Sequence, residues 1–149
     1  LDIAIEGRLK DGERLNCYWC STQRRTELIK FAKENGFNKI ALGHHLDDIL
    51  ETLLMNMLYK GEFSGMPPFV PYEKYPVSVI RPLCYCEETE ITEFVQEMGL
   101  ECPSCKCIAA GNSNRRLIRE QIEALTMGKS TLKRNLFESM RHIRMDYLL

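Results

Sequence analysis

No apolar run in these 149 residues approaches the roughly 20 that a helix needs to cross a bilayer. No signal peptide is visible at Leu1, so nothing argues for export. There is no internal repeat and no low-complexity segment. The initiating Met is also missing: the chain opens on Leu1-Asp2-Ile3-Ala4-Ile5 and is read as a fragment or as the remnant of a longer chain. A large net charge is lacking too, at -1.

What the chain does have is cysteine. Seven are many for a domain of this size. Without a secretion signal they point to metal or redox chemistry before structural disulfides. Their odd number also fits poorly with a fully paired framework. The length is that of one domain, 1–149, and an apolar fraction of 44% supports a packed core. The small net charge hides an asymmetry. Residues 106–149 hold nine Lys and Arg against four Asp and Glu, while residues 1–105 hold eleven against seventeen. A basic tail, about 112–149, on an acidic body hints at a polyanionic partner, although charge alone favours an ordinary solvated helix face.

The chain is organised around Lys39–Tyr59. Ile40-Ala41-Leu42 reads as a buried strand, and Gly43 permits a tight turn at its end. His44, His45, Asp47 and Asp48 follow, then a helix with Ile49, Leu50, Leu53, Leu54, Met57 and Leu58 on its inner side. Polar groups at the carboxyl end of a strand, just before a helix, occupy the usual ligand position of open α/β sheets. Singly, Asp47 or Asp48 could be no more than a helix cap or a first-turn carboxylate that suits the dipole. The joint pattern His-His-x-Asp-Asp-x-x-Glu-Thr is harder to explain by capping.

Around this unit the punctuation is clear. Residues 1–16 are poorly patterned: Leu1–Ile5 could end a strand, and Gly7–Glu13 look like a loop. Cys17-Tyr18-Trp19-Cys20 precedes a helix expected from about Gln23 to Asn35, capped by Ser21 or Thr22 and stopped at Gly36, with Leu28, Ile29 and Ala32 inward. The helix dipole, with Arg24 or Arg25, favours thiolate at this Cys-x-x-Cys. Gly61–Pro68 is a loop, and Val77–Ile80 is a second strand. Glu87–Met98 is a helix with Ile91, Phe94 and Val95 inward and Gly99 at its end. Strand, helix, strand, helix predicts an α/β fold with a parallel sheet and crossover helices. After a cysteine-rich loop, Asn112 or Ser113 caps a helix carrying Arg115, Arg116 and Arg119. A last helix runs from Ser130 to Leu149, with Leu132, Leu136, Met140 and Ile143 on one side.

Cys17 and Cys20 could converge with Cys102, Cys105 or Cys107 at one sheet edge. Four thiolates favour zinc or a fully ligated cluster; three on a [4Fe–4S] cluster leave one iron open. Cys84 and Cys86 read as core or lining residues, since free cysteine is often simply buried.

Taken together these blocks resemble a known family. Cys-x-x-Cys before Arg24-Arg25, Gly43-His-His-x-Asp-Asp-Ile-Leu-Glu-Thr-Leu, Gly65-Met-Pro-Pro and Val79-Ile-Arg-Pro-Leu-x-Tyr-Cys closely resemble the PP-loop ATPases that thiolate tRNA, of the tRNA 2-thiocytidine synthetase type. The likeness covers about Cys17 to Ile118. It implies a Rossmann-like parallel sheet of the adenine nucleotide alpha hydrolase type, followed by C-terminal helices. It implies an ATP- and Mg²⁺-dependent enzyme that adenylates a base carbonyl in tRNA, then delivers sulfur with the help of a [4Fe–4S] cluster on three cysteines. Carried over, Cys17 and Cys20 are two cluster ligands. Cys107 is the third, with Cys105 and Cys102 as rivals. Asp47, Asp48 and His45 take catalytic roles, and Gly43 and His44 line the nucleotide. The partners implied are tRNA and a sulfur donor such as a cysteine desulfurase, in the cytoplasm and without a membrane; a homodimer stays open.

One block departs from the family. Its Ser-Gly-Gly-x-Asp-Ser loop, which wraps pyrophosphate at a helix N-terminus, is absent. The N-terminal PP-loop strands are therefore missing, and the chain is expected to bind ATP poorly. Two other readings compete: a zinc-stabilised RNA-binding module without catalysis, and, ranked lowest, a thiol oxidoreductase using Cys17 and Cys20. In the C-terminal segment, Arg115, Arg116, Arg119, Lys133 and Arg134 are expected to contact tRNA phosphates.

Overall fold

The computed structural model of the protein describes residues 17–100 and 114–148, with side chains from Trp19 onward. The expected strand end at Leu1–Ile5, the Asn112 or Ser113 cap, and Cys102, Cys105 and Cys107 lie outside the described residues. In order the elements are α1 (Cys17–Glu34), β1 (Lys39–Ala41), α2 (Leu46–Lys60), β2 (Phe69–Pro71), β3 (Ser78–Ile80), α3 (Glu88–Glu97), α4 (Asn114–Thr126), α5 (Ser130–Ser139) and a 3₁₀ turn, Met145–Tyr147.

The α/β class holds, but the described sheet is mixed rather than all parallel. Its three strands lie in the order β1-β3-β2. β1 and β3 pair in parallel, Lys39 beside Ser78 and Ala41 beside Ile80, as a crossover through α2 requires. β2, which the sequence reading placed in no element, pairs antiparallel with β3, Phe69 opposite Ile80. A short turn joins them: Tyr75 N–H donates to the Tyr72 carbonyl and Tyr72 N–H to that of Val77. Pro71 is tolerated because β2 is an edge strand. β1, expected to be buried, exposes Lys39 and Ala41 and half-buries Ile40.

Helix bounds differ where tertiary contacts override local signals. α1 begins at Cys17, so the Cys-x-x-Cys lies inside its first turn rather than ahead of it. α3 follows its expected span and ends at a left-handed Gly99 (φ 62°). There Leu100 N–H reaches the Val95 carbonyl at 3.0 Å and Gly99 N–H that of Gln96 at 3.1 Å, a Schellman stop. Its apolar face is not buried, however, and Phe94 is exposed. α5 stops at Ser139, ten residues short of the expected end, and Ile143 is exposed.

The main core lies between helices. Leu46, Ile49, Leu50 and Leu54 of α2 pack with Ile118 and Ile122 of α4, Phe137 of α5 and Cys84. Burying one such side chain contributes about 2 kcal/mol. The inner stripe of α2 ends at Leu54; Met57 and Leu58, expected inward, are exposed because the helix outruns its partners. Gly65 is closely packed: a Cβ there would stand 3.2 Å from Met140 Sδ, which would have to give way by a few tenths of an ångström, and 3.5 Å from Ile49 Cγ2. Among the described residues no helix is long and apolar enough to cross a membrane.

Candidate active site

β1 delivers the His-His-x-Asp-Asp segment to the carboxyl edge of the sheet, where α2 starts. His45 is the N-cap, in extended conformation, and its N–H donates to Asp48 Oδ2 at 3.2 Å. This is the returning half of a capping box. Leu46 N–H donates to the Cys86 carbonyl at 2.9 Å, tying the helix start to the loop after β3. Gly43 does not act as expected. It is not among the glycines with positive φ, so the turn does not need its conformational freedom. A Cβ there would meet nothing within 4 Å, which leaves open space beside His44.

Asp47 and Asp48 are neighbours with different surroundings. Asp47 is 9% exposed. Its Oδ2 accepts the backbone N–H of Glu88 at 2.8 Å, and its Oδ1 stands 3.2 Å from Lys133 Nζ. Burial pushes the Asp47 carboxyl up, but His45, the Glu88 N–H and Lys133 together outweigh it and hold the group well below the usual carboxylate range. Asp48 has one oxygen near His45 Nε2 at 3.3 Å; the other, among the described residues, meets only Arg115, at 3.6 Å. Both Asp47 oxygens are thus engaged inside the fold, while Asp48 keeps one that a ligand could take.

The two histidines are tuned in opposite directions. His45 stands 3.7 Å from Asp47 Oδ2, an ion-pair distance rather than a hydrogen bond. Asp47 raises its pKa most, burial opposes, and Asp48 and Glu88 add to the rise. Burial lowers the His44 pKa, and Arg81 and Arg115 reinforce that against the pull of Asp48.

Three residues to which sequence reasoning gave no role of their own complete the site. Glu51 is 1% exposed and accepts Arg119 Nε at 2.8 Å, with Arg115 Nη1 3.9 Å from its second oxygen. Glu87, also buried, accepts Arg134 Nε at 3.0 Å and the Ser130 hydroxyl. Arg81, just after β3, hydrogen-bonds the Pro67 carbonyl. A signal for Glu51 was present: Asp47 and Glu51 on α2, and Arg115 and Arg119 on α4, share the four-residue spacing of one helix face.

These contacts give the basic tail a second role, inside the fold. Arg115, Arg119, Lys133 and Arg134 all have carboxylate partners on α2 or α3. Arg116 pairs with Glu120 on its own helix. The positive charge of α4 and α5 is largely spent on the acidic starts of α2 and α3.

Of the proposed cluster ligands, Cys17 and Cys20 share the first turn of α1. Residues i and i+3 lie on one helix face, which suits two thiolates at two corners of one cluster. Cys20 is a free, half-buried thiol. The Cys17 side chain and all of Cys107 lie outside the described residues, as does any convergence with them. Among the described residues, no group of three or more His, Cys, Asp and Glu is placed to hold a metal ion. Cys84 is buried and Cys86 half-buried, matching a core and lining role, and burial pushes the Cys84 thiol up.

A family model described as a PP-loop domain matches residues 21–125. The chain belongs to the PP-loop family. It is similar to the tRNA-cytidine(32) 2-sulfurtransferase of Legionella pneumophila (strain Corby), at 36% identity over 97% of this chain and 51% of that protein. It is similar also to the tRNA-cytidine(32) 2-sulfurtransferase of Alcanivorax borkumensis, at 39% identity over 93% of this chain and 49% of the relative. The PP-loop chain described here therefore spans about half the length of these relatives. Among solved structures it resembles the U34-tRNA thiolase NcsA from Methanococcus maripaludis with its [4Fe-4S] cluster. The TM-score is 0.73 at 19% identity, covering 95% of this chain and 48% of that one. That likeness supports the PP-loop fold.

Proposed function

We propose that this chain is the C-terminal part of an ATP-dependent, iron–sulfur tRNA sulfurtransferase that adenylates and thiolates a tRNA base, of the 2-thiocytidine type. The observation that carries the reading is the likeness to tRNA-cytidine(32) 2-sulfurtransferases, which runs through 97% of the chain. In this reading the base carbonyl oxygen attacks the α-phosphorus of ATP and pyrophosphate leaves. Sulfur then takes the base carbon and AMP leaves.

The roles divide along the surroundings described above. Asp48, with an oxygen that only Arg115 approaches, faces the nucleotide and can hold Mg²⁺ through water, since Mg²⁺ usually takes one or two carboxylates plus phosphate oxygens. Asp47 fits a magnesium ligand poorly, because both its oxygens are engaged within the fold; it sets the geometry of its neighbours. His45 is held between the two carboxylates and can donate to a phosphate or to the reacting carbonyl oxygen. Gly43 and His44 line the nucleotide side. Cys17, Cys20 and Cys107 would hold the [4Fe–4S] cluster, which would supply the chemistry of sulfur delivery. tRNA is the substrate, and a cysteine desulfurase is a suitable sulfur source in the cytoplasm.

The test uses the full-length protein with its PP-loop, anaerobically reconstituted and supplied with ATP, a sulfur source and unmodified tRNA. Nucleoside mass spectrometry should find 2-thiocytidine, with AMP formed alongside. Tight zinc, no iron and no thiolated nucleoside would overturn the reading in favour of an RNA-binding module.

A further inference from the structure

The acidic side of the site is well partnered, but its cationic side is not. Arg81 follows β3 directly, and His44 follows β1 after two residues. Those strands are parallel neighbours, Ala41 beside Ile80, and Leu42 N–H donates to the Ile80 carbonyl at 2.9 Å. The two chains therefore leave the sheet side by side at its carboxyl edge. Arg81 spends Nη1 on the Pro67 carbonyl, yet its Nε is shielded from solvent and has no hydrogen-bond partner among the described residues; the same holds for Nδ1 of His44 and of His45, the latter facing Asp47 at 3.7 Å. Shielded nitrogens without such a partner at one edge are unusual, because buried polar groups are nearly always satisfied.

A third group completes the set. Arg115, at the start of α4, is 48% exposed on its side chain and stands 3.6 Å from Asp48 and 3.9 Å from Glu51. Both distances exceed a good hydrogen bond, so the guanidinium is held near the site without being saturated. Arg25 of α1 also bears on Arg81: after burial itself, its charge is the next cause that lowers the Arg81 pKa. Open space lies beside Gly43. A cation is disfavoured among these guanidinium groups. An oxyanion suits them, since arginine presents forked donors that match phosphate oxygens.

We infer that Arg81, His44 and Arg115 form a cradle for one phosphate group beside Asp48. The choice of phosphate over other oxyanions rests on the function proposed above. The donors approach from three elements: the end of β3, the β1–α2 turn and the start of α4. On binding, Arg81 Nε and the Nδ1–H tautomer of His44 donate to phosphate oxygens, and Arg115 turns from Asp48 towards the anion. That movement frees the Asp48 oxygen it had been facing. The phosphate belongs either to a nucleotide or to an RNA backbone; both present the same oxyanion.

The test is a titration of the isotopically labelled chain with inorganic phosphate at low ionic strength, read by NMR at the arginine Nε–H groups and the His44 ring. Saturable shifts are expected at Arg81 and His44. Arg81→Gln should weaken binding tenfold or more and Arg115→Gln severalfold, while Arg141→Gln, far along the chain and paired with Glu138, should leave it unchanged. If Arg81→Gln unfolds, the half-exposed Arg115 variant decides. Shifts spread evenly over exposed Arg and Lys, with all variants binding alike, would overturn the cradle. Parallel titrations with AMP and with an RNA hairpin identify the source: whichever binds more tightly than inorganic phosphate supplies the phosphate, and equal affinities mean that the cradle reads the oxyanion alone. No turnover is measured, so loss of thiolation in the full-length protein would leave this result standing.

Discussion

The backbone N–H of Glu88 donates to Asp47 Oδ2 at 2.8 Å, joining the first turns of two helices that lie 41 positions apart in sequence. The other Asp47 oxygen holds Lys133 of α5 at 3.2 Å. One carboxylate thus fastens three helices, and its position in the middle of the His-His-x-Asp-Asp segment makes it as much a fastening as a reagent.

Asp47→Asn and Asp48→Asn should therefore separate. Breaking one side of a buried, hydrogen-bonded ion pair costs roughly 3–5 kcal/mol, so Asp47→Asn should unfold at clearly lower denaturant. Asp48→Asn should fold normally, but in the full-length enzyme it should lose adenylation by orders of magnitude. Urea titration and a pyrophosphate-release assay on both variants check this. If Asp48→Asn keeps adenylation and melts early instead, Asp48 is only a helix cap.

Glu51 offers a second test of the helix clasp. Removing its charge weakens the buried acceptor of Arg119 while both arginines keep half their side chains in water, so Glu51→Gln should destabilise by about 1–2 kcal/mol. Arg119→Gln should cost less, because that side chain is 56% exposed and solvent screens its pairing. Equal losses in the two denaturation curves would mean that the buried carboxylate gains no special weight from its position.

The pH dependence follows from the directions of three shifts. Asp47 is depressed below its unfolded value, so its contribution is present above about pH 4 and is lost as pH falls further. His45 is raised; its contribution is full below about pH 6.5 and is lost as pH rises through the folded pKa. His44 is lowered, so protonating it as pH falls below about 6.5 works against folding. The histidines oppose each other near neutrality, and the steep loss should lie on the acid side. The gap between thermal melts of wild type and Asp47→Asn should be constant above about pH 4 and begin to narrow as pH falls towards 3.

The cysteines can be sorted by metal content. Under anaerobic reconstitution, Cys17→Ala, Cys20→Ala and Cys107→Ala should each abolish the iron and sulfide of one [4Fe–4S] cluster, whereas Cys84→Ala and Cys86→Ala should retain it. Normal iron in Cys107→Ala, with loss in Cys105→Ala or Cys102→Ala, would move the third ligand.

Local signals carried much of this protein. The apolar stripe of α2 from Ile49 to Leu54, the glycine stop after α3 and the placing of His44–Asp48 at a strand's carboxyl end were all legible, because period, turn chemistry and strand polarity are properties of neighbouring residues. So was the family, since its motifs are short and contiguous. Pairings between distant segments were not legible. Nothing near Phe69–Pro71 announced an antiparallel edge strand, and three residues including a proline carry no periodicity. Met57, Leu58 and Phe94 fall on apolar faces that no described element covers, and pattern alone cannot count partners. The basic tail read as a surface for polyanions, and nothing in it announced that Arg119, Lys133 and Arg134 also pair with Glu51, Asp47 and Glu87. A charge shows its sign in the sequence, but its partner is chosen only when helices pack and bring carboxylates within about 4 Å.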